Sequence, residues 1–169
     1  MTSGNMTIGK FEVQRFSVTS RKSFGDVLAA LHAAVGHPDM DAFRKSVSAA
    51  KTFSEIEKTI QSAIGPSGFM EFTRFDHGEV VHKGGKARAP QIVRLVIGNP
   101  LIMRQMVQQV PDAGSYAPVT ILVDERPDGV HLSYDRVASF LTPYGNAEAL
   151  KVAQALDAKV EALLASTSG

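Results

Sequence analysis

Cysteine is absent from this 169-residue sequence, and so are long apolar runs. Without cysteine the chain has no disulfide, no thiol nucleophile and no cysteine-ligated zinc site, which fits a reducing compartment. No stretch approaches the roughly 20 apolar residues of a membrane-spanning helix, and Met1 to Lys10 lack the apolar core of a signal peptide. We therefore predict a cytoplasmic protein that does not enter a membrane.

An excess of either charge is also missing. Lysine and arginine total 18 against 17 for aspartate and glutamate, a formal charge of +1, so no long-range field recruits nucleic acid or an anionic membrane. The basic stretch at 83–90 has no apolar period and is predicted to be a solvated loop. The 44% hydrophobic and 21% charged fractions are typical of a globular protein. We predict one domain over residues 8–166.

The first third of the chain predicts one strand followed by helices. Residues 11–19 alternate as a strand, with Phe16 and Val18 on one face. Ser23 begins a helix that ends at Gly36. A further helical stretch covers 39–64 and contains a second capping signature at Thr52.

The remaining two thirds predict two hairpins, a central strand and two capped helices. Residues 69–75 and 79–83 are predicted to pair around Asp76-His77-Gly78. Residues 92–97 predict a buried strand, followed by a helix that Asn99 caps. The second hairpin pairs 119–124 with 130–135, and Asn146 begins a long last helix. The fold class is therefore α+β: an antiparallel sheet of about five strands with helices packed on it and a long C-terminal helix.

The most specific residues resemble the core of a known bacterial family, the domain of unknown function 302 family. They are Ile97-Gly98-Asn99-Pro100, Pro111-Asp112, Leu122-Val123-Asp124 and Leu132-Ser133-Tyr134-Asp135. The likeness covers 11–141 in layout, although this chain carries the extra helical stretch 39–64 and has Gly98 where some members have cysteine. The resemblance implies helices on an antiparallel sheet and a homodimer, but it implies no reaction and supplies no functional residues.

Asn99 and Arg94 are candidate ligand-binding residues. Asn99 and Pro100 place free N–H groups at a helix start, where they can bind a carboxylate or phosphate, or serve only as helix punctuation. Arg94 interrupts an apolar strand, so its guanidinium must face solvent or find a carboxylate, for which Asp124 and Asp135 are candidates.

The tyrosines are further candidates. Tyr116, Tyr134 and Tyr144 each lie beside a turn, a strand end or a proline, where they either line a pocket with Arg94 and Asn99 or pack at the boundary of the core.

The histidines offer two possible acid–base pairs. One is His77 with Asp76, with His82 nearby, and the other is His131 with Asp135. A Ser-His-Asp triad along His131, Ser133 and Asp135 is disfavoured, because alternate residues of one strand lie about 6.8 Å apart. The spacing of Asp76, His77 and His82 matches no known metal-ligand pattern, so we predict neither a metal site nor a cofactor.

Three functions remain open from the sequence. The first is a small dimeric binding or accessory domain whose sheet face or Asn99 helix end recognises a small polar or anionic molecule. The second is an enzyme of undetermined class that uses a His/Asp pair. The third is a structural protein–protein interaction domain, which a large exposed apolar patch would indicate.

Overall fold

The computed structural model describes residues 4–83 and 89–169, which form five strands and seven α-helices. The strands are β1 (Arg15–Ser20), β2 (Met70–Asp76), β3 (Ile92–Gly98), β4 (Val119–Arg126) and β5 (Gly129–Asp135). The helices are α1 (Phe24–Ala34), α2 (Met40–Ala49), α3 (Phe53–Ala63), α4 (His77–Lys83), α5 (Pro100–Val107), α6 (Val137–Leu141) and α7 (Ala147–Ser168). Short 3₁₀ turns occupy Pro111–Ser115 and Thr142–Tyr144. This architecture confirms the α+β prediction.

All five strands form one antiparallel sheet in the order β1-β5-β4-β3-β2. The second predicted hairpin is confirmed as β4 and β5, joined by a tight turn in which Gly129 has φ 141°. A side chain there would be strained by this backbone conformation. The sheet thus brings the N-terminal strand beside the last strand of the chain.

Helix α7 lies against β1 and β5, and α1, α5 and α6 pack against it. Its apolar stripe includes Leu156, Val160 and Leu164, all buried. Each such side chain stabilises the fold by about 1.5–3 kcal/mol when it leaves water. The core therefore lies between α7 and one face of the sheet.

The predicted helix starts are confirmed by their capping hydrogen bonds. The side chains of Ser23, Asp39, Thr52, Asn99 and Asn146 each accept a bond from a backbone N–H in the first turn of the helix that follows. Each of these residues has extended backbone angles, as an N-cap requires.

The first predicted hairpin is wrong in its second strand. Residues 77–83 form α4, because Asp76 Oδ1 accepts a 2.9 Å hydrogen bond from the Glu79 N–H and so caps a helix instead of closing a turn. Glu79 and Lys83 then form an ion pair one helical turn apart, at 2.6 Å. Strand β2 pairs with β3 instead.

The first strand is shorter than predicted. It begins at Arg15, and Phe11 lies outside the sheet with its ring 6.4 Å from that of Tyr116. Phe11 therefore packs against an aromatic ring instead of pairing in the sheet, a contact that the alternation of residues 11–19 does not predict. Phe16 and Val18 lie on one face of β1, as predicted, and that face packs against the core.

Most of the predicted basic loop at 83–90 lies outside the described residues. Within the two described ranges, none of the helices combines the length and the apolar character needed to cross a lipid bilayer.

Candidate functional site

The two faces of the sheet differ in polarity. On β5, alternate residues Val130, Leu132 and Tyr134 are buried under the helices. The residues between them are polar and half-buried, namely His131, Ser133 and Asp135. Since alternate side chains of a strand point to opposite faces, this second set defines an open face of the sheet.

A cavity of about 380 Å³ lies at one end of the open face. Its lining includes Arg15 from β1, Arg94 from β3, Thr120 and Leu122 from β4, Ser133 and Asp135 from β5, and the rings of Tyr116 and Phe140. Sheet strands hold these groups in fixed positions, which suits a binding site better than loop-borne residues do. The volume falls within the range of small-molecule sites.

Two larger surface depressions have less of the sheet in their walls. One, of about 630 Å³, lies between the N-terminal coil and the helices α6 and α7. The other, of about 750 Å³, lies beside residues 89–92 and the end of β4. We therefore consider the open-face cavity the best candidate site.

Arg94 is the distinctive charge of this cavity. Its Nη2 donates a 3.3 Å hydrogen bond to Thr120 Oγ1, and its guanidinium carbon lies 5.7 Å from the centre of the Phe75 ring. Within the part of the chain that the structure describes, Arg94 forms no ion pair. Of the two outcomes considered from the sequence, Arg94 faces solvent. It pairs with neither candidate carboxylate, because Asp124 pairs with Arg126 and Asp135 pairs with another arginine.

That other arginine is Arg15, which was not a candidate from the sequence. Its Nε and Nη2 donate to the two carboxylate oxygens of Asp135 at 2.6 and 2.9 Å. Hydrogen bonding to Arg15 lowers the pKa of Asp135, so the carboxylate is ionised at neutral pH and the two charges cancel. The cavity is left with the positive charge of Arg94.

Aromatic rings close one end of the cavity. Tyr116 and Phe140 stack with ring centres 4.6 Å apart and planes 9° from parallel. The Tyr116 and Tyr144 hydroxyls lie 3.5 Å apart, an interaction that raises the pKa of Tyr144. Tyr116 therefore has the pocket position considered for it alongside Arg94, whereas Tyr144 is not part of the cavity lining.

Tyr134 borders the cavity, but its ring lies on the helix side of the sheet. Its hydroxyl donates a 2.6 Å hydrogen bond to Asp157 Oδ1, and Asp157 is 0% exposed. The same carboxylate accepts bonds from the N–H groups of Val137 and Ala138, at 2.8 and 3.1 Å, and so caps α6. Burial raises the pKa of both Tyr134 and Asp157. This buried network fixes the strand end against α7.

Asn99 lies apart from this cavity. Its Oδ1 accepts from the Leu101 N–H at 2.9 Å, and its Nδ2 donates to the Gly68 carbonyl at 3.0 Å. The adjacent cavity holds only about 40 Å³. Both ends of the Asn99 amide are thus occupied by the protein itself.

Asp76 and His77 also lie elsewhere, at the start of α4. Asp76 caps that helix, and the exposed His77 ring stacks 6.2 Å from Phe75. His131 is paired with Asp128, Nε2 to Oδ1 at 2.9 Å, instead of the Asp135 considered from the sequence. Neither predicted His/Asp pair is assembled as expected.

The residues that sequence reasoning missed are Arg15, Thr120, Phe140 and Asp157. Asp157 had a readable signal, because it interrupts the apolar stripe of the last helix at the same spacing as its buried neighbours. Arg15 had none, because its partner is 120 residues away and only the strand order brings them together.

The fold and site together define an α+β domain in which α7 and the helices packed on it cover one face of an antiparallel sheet, and a cavity lies on the other face. A family model described as domain of unknown function DUF302 matches residues 43–167, and the chain belongs to that family. The match begins inside the additional helical stretch 39–64, so part of that stretch falls within the family region.

A solved structure has the same fold. It is the crystal structure of an uncharacterized conserved DUF302 protein from Bacillus stearothermophilus, with a TM-score of 0.63 and 12% sequence identity. The superposition covers 92% of this chain and 98% of that one. No curated protein gives a significant match to this chain. The family is one of unknown function, so any activity has to be argued from the site.

Proposed function

We propose that this protein is a small binding or accessory domain that recognises an anionic small molecule in the open-face cavity. The observation that carries the proposal is the guanidinium of Arg94, which borders the cavity without a carboxylate partner among the described residues. An arginine presents a planar set of donors that matches a carboxylate or phosphate.

The surroundings of Arg94 support a binding role. The Thr120 hydroxyl and the Phe75 ring orient the guanidinium before a ligand arrives, so less side-chain freedom is lost on binding. A hydrogen bond to a charged group contributes about 1.5–3 kcal/mol. The half-buried Ser133 hydroxyl lines the same cavity and offers a further donor.

Holding an anion fits these groups better than proton exchange. Arginine stays protonated throughout the physiological range. Asp135 has a lowered pKa and both its oxygens bound by Arg15, so it is poorly suited to act as a general base. The alternative binding position at Asn99 is less favourable, because that side chain is already occupied.

The first experiment is native mass spectrometry of the freshly purified protein, compared with its mass after denaturation. We expect a reproducible extra mass of an anionic molecule, and its measured mass narrows the ligand class. If the protein carries no extra mass, isothermal titration with inorganic phosphate and with small carboxylates is the next measurement.

Two matched variants then test the position of the site. Arg94→Gln removes the proposed anion contact. Arg44→Gln removes the charge of another exposed arginine, on α2, where Arg44 pairs with Asp41. We expect Arg94→Gln to weaken anion binding at least tenfold and Arg44→Gln to leave it unchanged. Equal affinity in both variants, or no binding of any anion to the parent protein, contradicts the proposal.

The proposal also includes a cytoplasmic homodimer. The family resemblance supports the dimer, and the cysteine-free composition fits the reducing environment of the cytoplasm. The native mass spectrum also tests the dimer, because it shows whether the protein has the mass of one chain or of two. Fractionation of cells that express the tagged protein tests the location, and recovery with membranes or outside the cell contradicts it.

A further inference from the structure

The lining of the open-face cavity narrows the chemistry of its ligand. We infer that the ligand is an aromatic monocarboxylate, with its carboxylate on Arg94 and its ring against the Tyr116–Phe140 end of the cavity. This inference rests on the proposed function and specifies the substrate class of that same site.

The charge of the cavity favours a monoanion. Arg15 and Asp135 neutralise each other through two hydrogen bonds, so they add no net charge. Arg94 alone is left to balance a ligand. A dianion such as phosphate carries a second charge that no residue of the lining is free to balance.

The rest of the cavity favours an apolar, planar group. Pro118, Val119 and Leu122 contribute apolar surface to the lining, beside the two rings. Tyr116 and Phe140 are half-buried and nearly parallel, so a third ring can extend the stack or meet its edge. A purely polar ligand would leave this surface unused.

The size of the cavity agrees with one ring that carries a short acid. A volume of about 380 Å³ corresponds to the space of about a dozen water molecules. Acetate fills a small part of that space and leaves the aromatic end wet. A single-ring carboxylate reaches both the guanidinium side and the aromatic end.

The test compares phenylacetate, acetate, inorganic phosphate and the neutral phenylacetamide by isothermal titration against the wild-type protein. We expect phenylacetate to bind at least tenfold more tightly than acetate, phosphate or phenylacetamide. The neutral amide keeps the ring and removes only the charge, and acetate keeps the charge and removes only the ring. The comparison needs no variant, so a folding defect cannot obscure it.

Two variants locate the two halves of the ligand. Phe140→Leu removes a ring but keeps apolar bulk, and we expect it to lower phenylacetate affinity while leaving acetate unchanged. Arg94→Gln is expected to bring phenylacetate down to the affinity of phenylacetamide. If phenylacetate affinity is unchanged in Phe140→Leu, the placement of the ring is overturned.

The outcomes separate this inference from the proposed function. If acetate or phosphate binds as tightly as phenylacetate and depends on Arg94, the anion site stands and the aromatic inference is overturned. If none of the three anions binds, both fail together. If phenylacetamide binds as tightly as phenylacetate, the cavity selects the ring alone and the anionic part is overturned.

Discussion

Replacement of Asp157 by asparagine should destabilise the fold by a predictable amount. Asp157 is fully buried and accepts three hydrogen bonds, from the Tyr134 hydroxyl and from the N–H groups of Val137 and Ala138. The amide keeps one oxygen, which can still accept from Tyr134 and Val137. The other position becomes an NH₂ group that faces the Ala138 N–H, donor against donor.

The cost follows from that single mismatch. A buried donor left without an acceptor costs about 1–3 kcal/mol. We expect Asp157→Asn to lower the free energy of unfolding by that amount at neutral pH. Asp157→Ala leaves all three donors without their acceptor and opens space beside α7, so it should cost more than the asparagine variant.

The pH dependence tests the electrostatic part of the same argument. Burial raises the pKa of Asp157, although the hydrogen bonds from Tyr134, Ala138 and Val137 and the charge of Arg136 oppose the rise. The folded protein then holds this proton more tightly than the unfolded chain, whose aspartate pKa is about 3.9. The corresponding stability is full below that value and is lost as pH rises through the folded pKa.

Urea unfolding of both proteins from pH 4 upwards measures the effect. The stability difference between wild type and Asp157→Asn should be largest near pH 4 and should shrink toward neutral pH. A difference that grows with pH would refute the reasoning, because it would mean that hydrogen bonds and Arg136 favour the ionised form more than burial opposes it.

Three further substitutions test other parts of the structure. Asn99→Ala should lower the free energy of unfolding in urea by about 1 kcal/mol, because a helix cap is lost, and should leave anion binding unchanged. If the variant keeps full stability but no longer binds the anion, the ligand lies at Asn99 instead. Gly36→Ala should lower the melting temperature strongly, because the new Cβ would lie 1.9 Å from a backbone oxygen at the end of α3. Gly25→Ala in α1 is the control. It should be neutral or stabilising, because its new Cβ would have no neighbour closer than 3.9 Å. Arg15→Gln should raise the pKa of Asp135, and it should remove less than about 1 kcal/mol of stability because the pair is exposed. That contribution is present above the unfolded pKa of the carboxylate and is lost as pH falls through the folded one, so the two proteins should differ in stability at neutral pH and converge in acid. An NMR titration should show that Asp135 takes up its proton at a higher pH in Arg15→Gln than in the wild type.

Local signals in the sequence predicted most of the fold. The capping residues Ser23, Thr52, Asn99 and Asn146 were readable because an N-cap acts on the first turn that follows it. The same locality explains the error at Asp76. A short Asp-His-Gly sequence fits both a turn and a helix start, and the partner strand that decides between them lies more than a dozen residues further along the chain.

Only part of the candidate site could be predicted from the sequence, for a related reason. Alternation along β5 separates His131, Ser133 and Asp135 from the buried residues between them, so the existence of a polar open face follows from sequence alone. The chemistry of that face depends on which strands are neighbours. From the sequence, Asp135 was considered as a partner of Arg94 or of His131, but β1 lies beside β5, where Arg15 neutralises it. That neutralisation leaves Arg94 with the uncompensated charge, so the strand order determines which of the polar residues is free to bind a ligand.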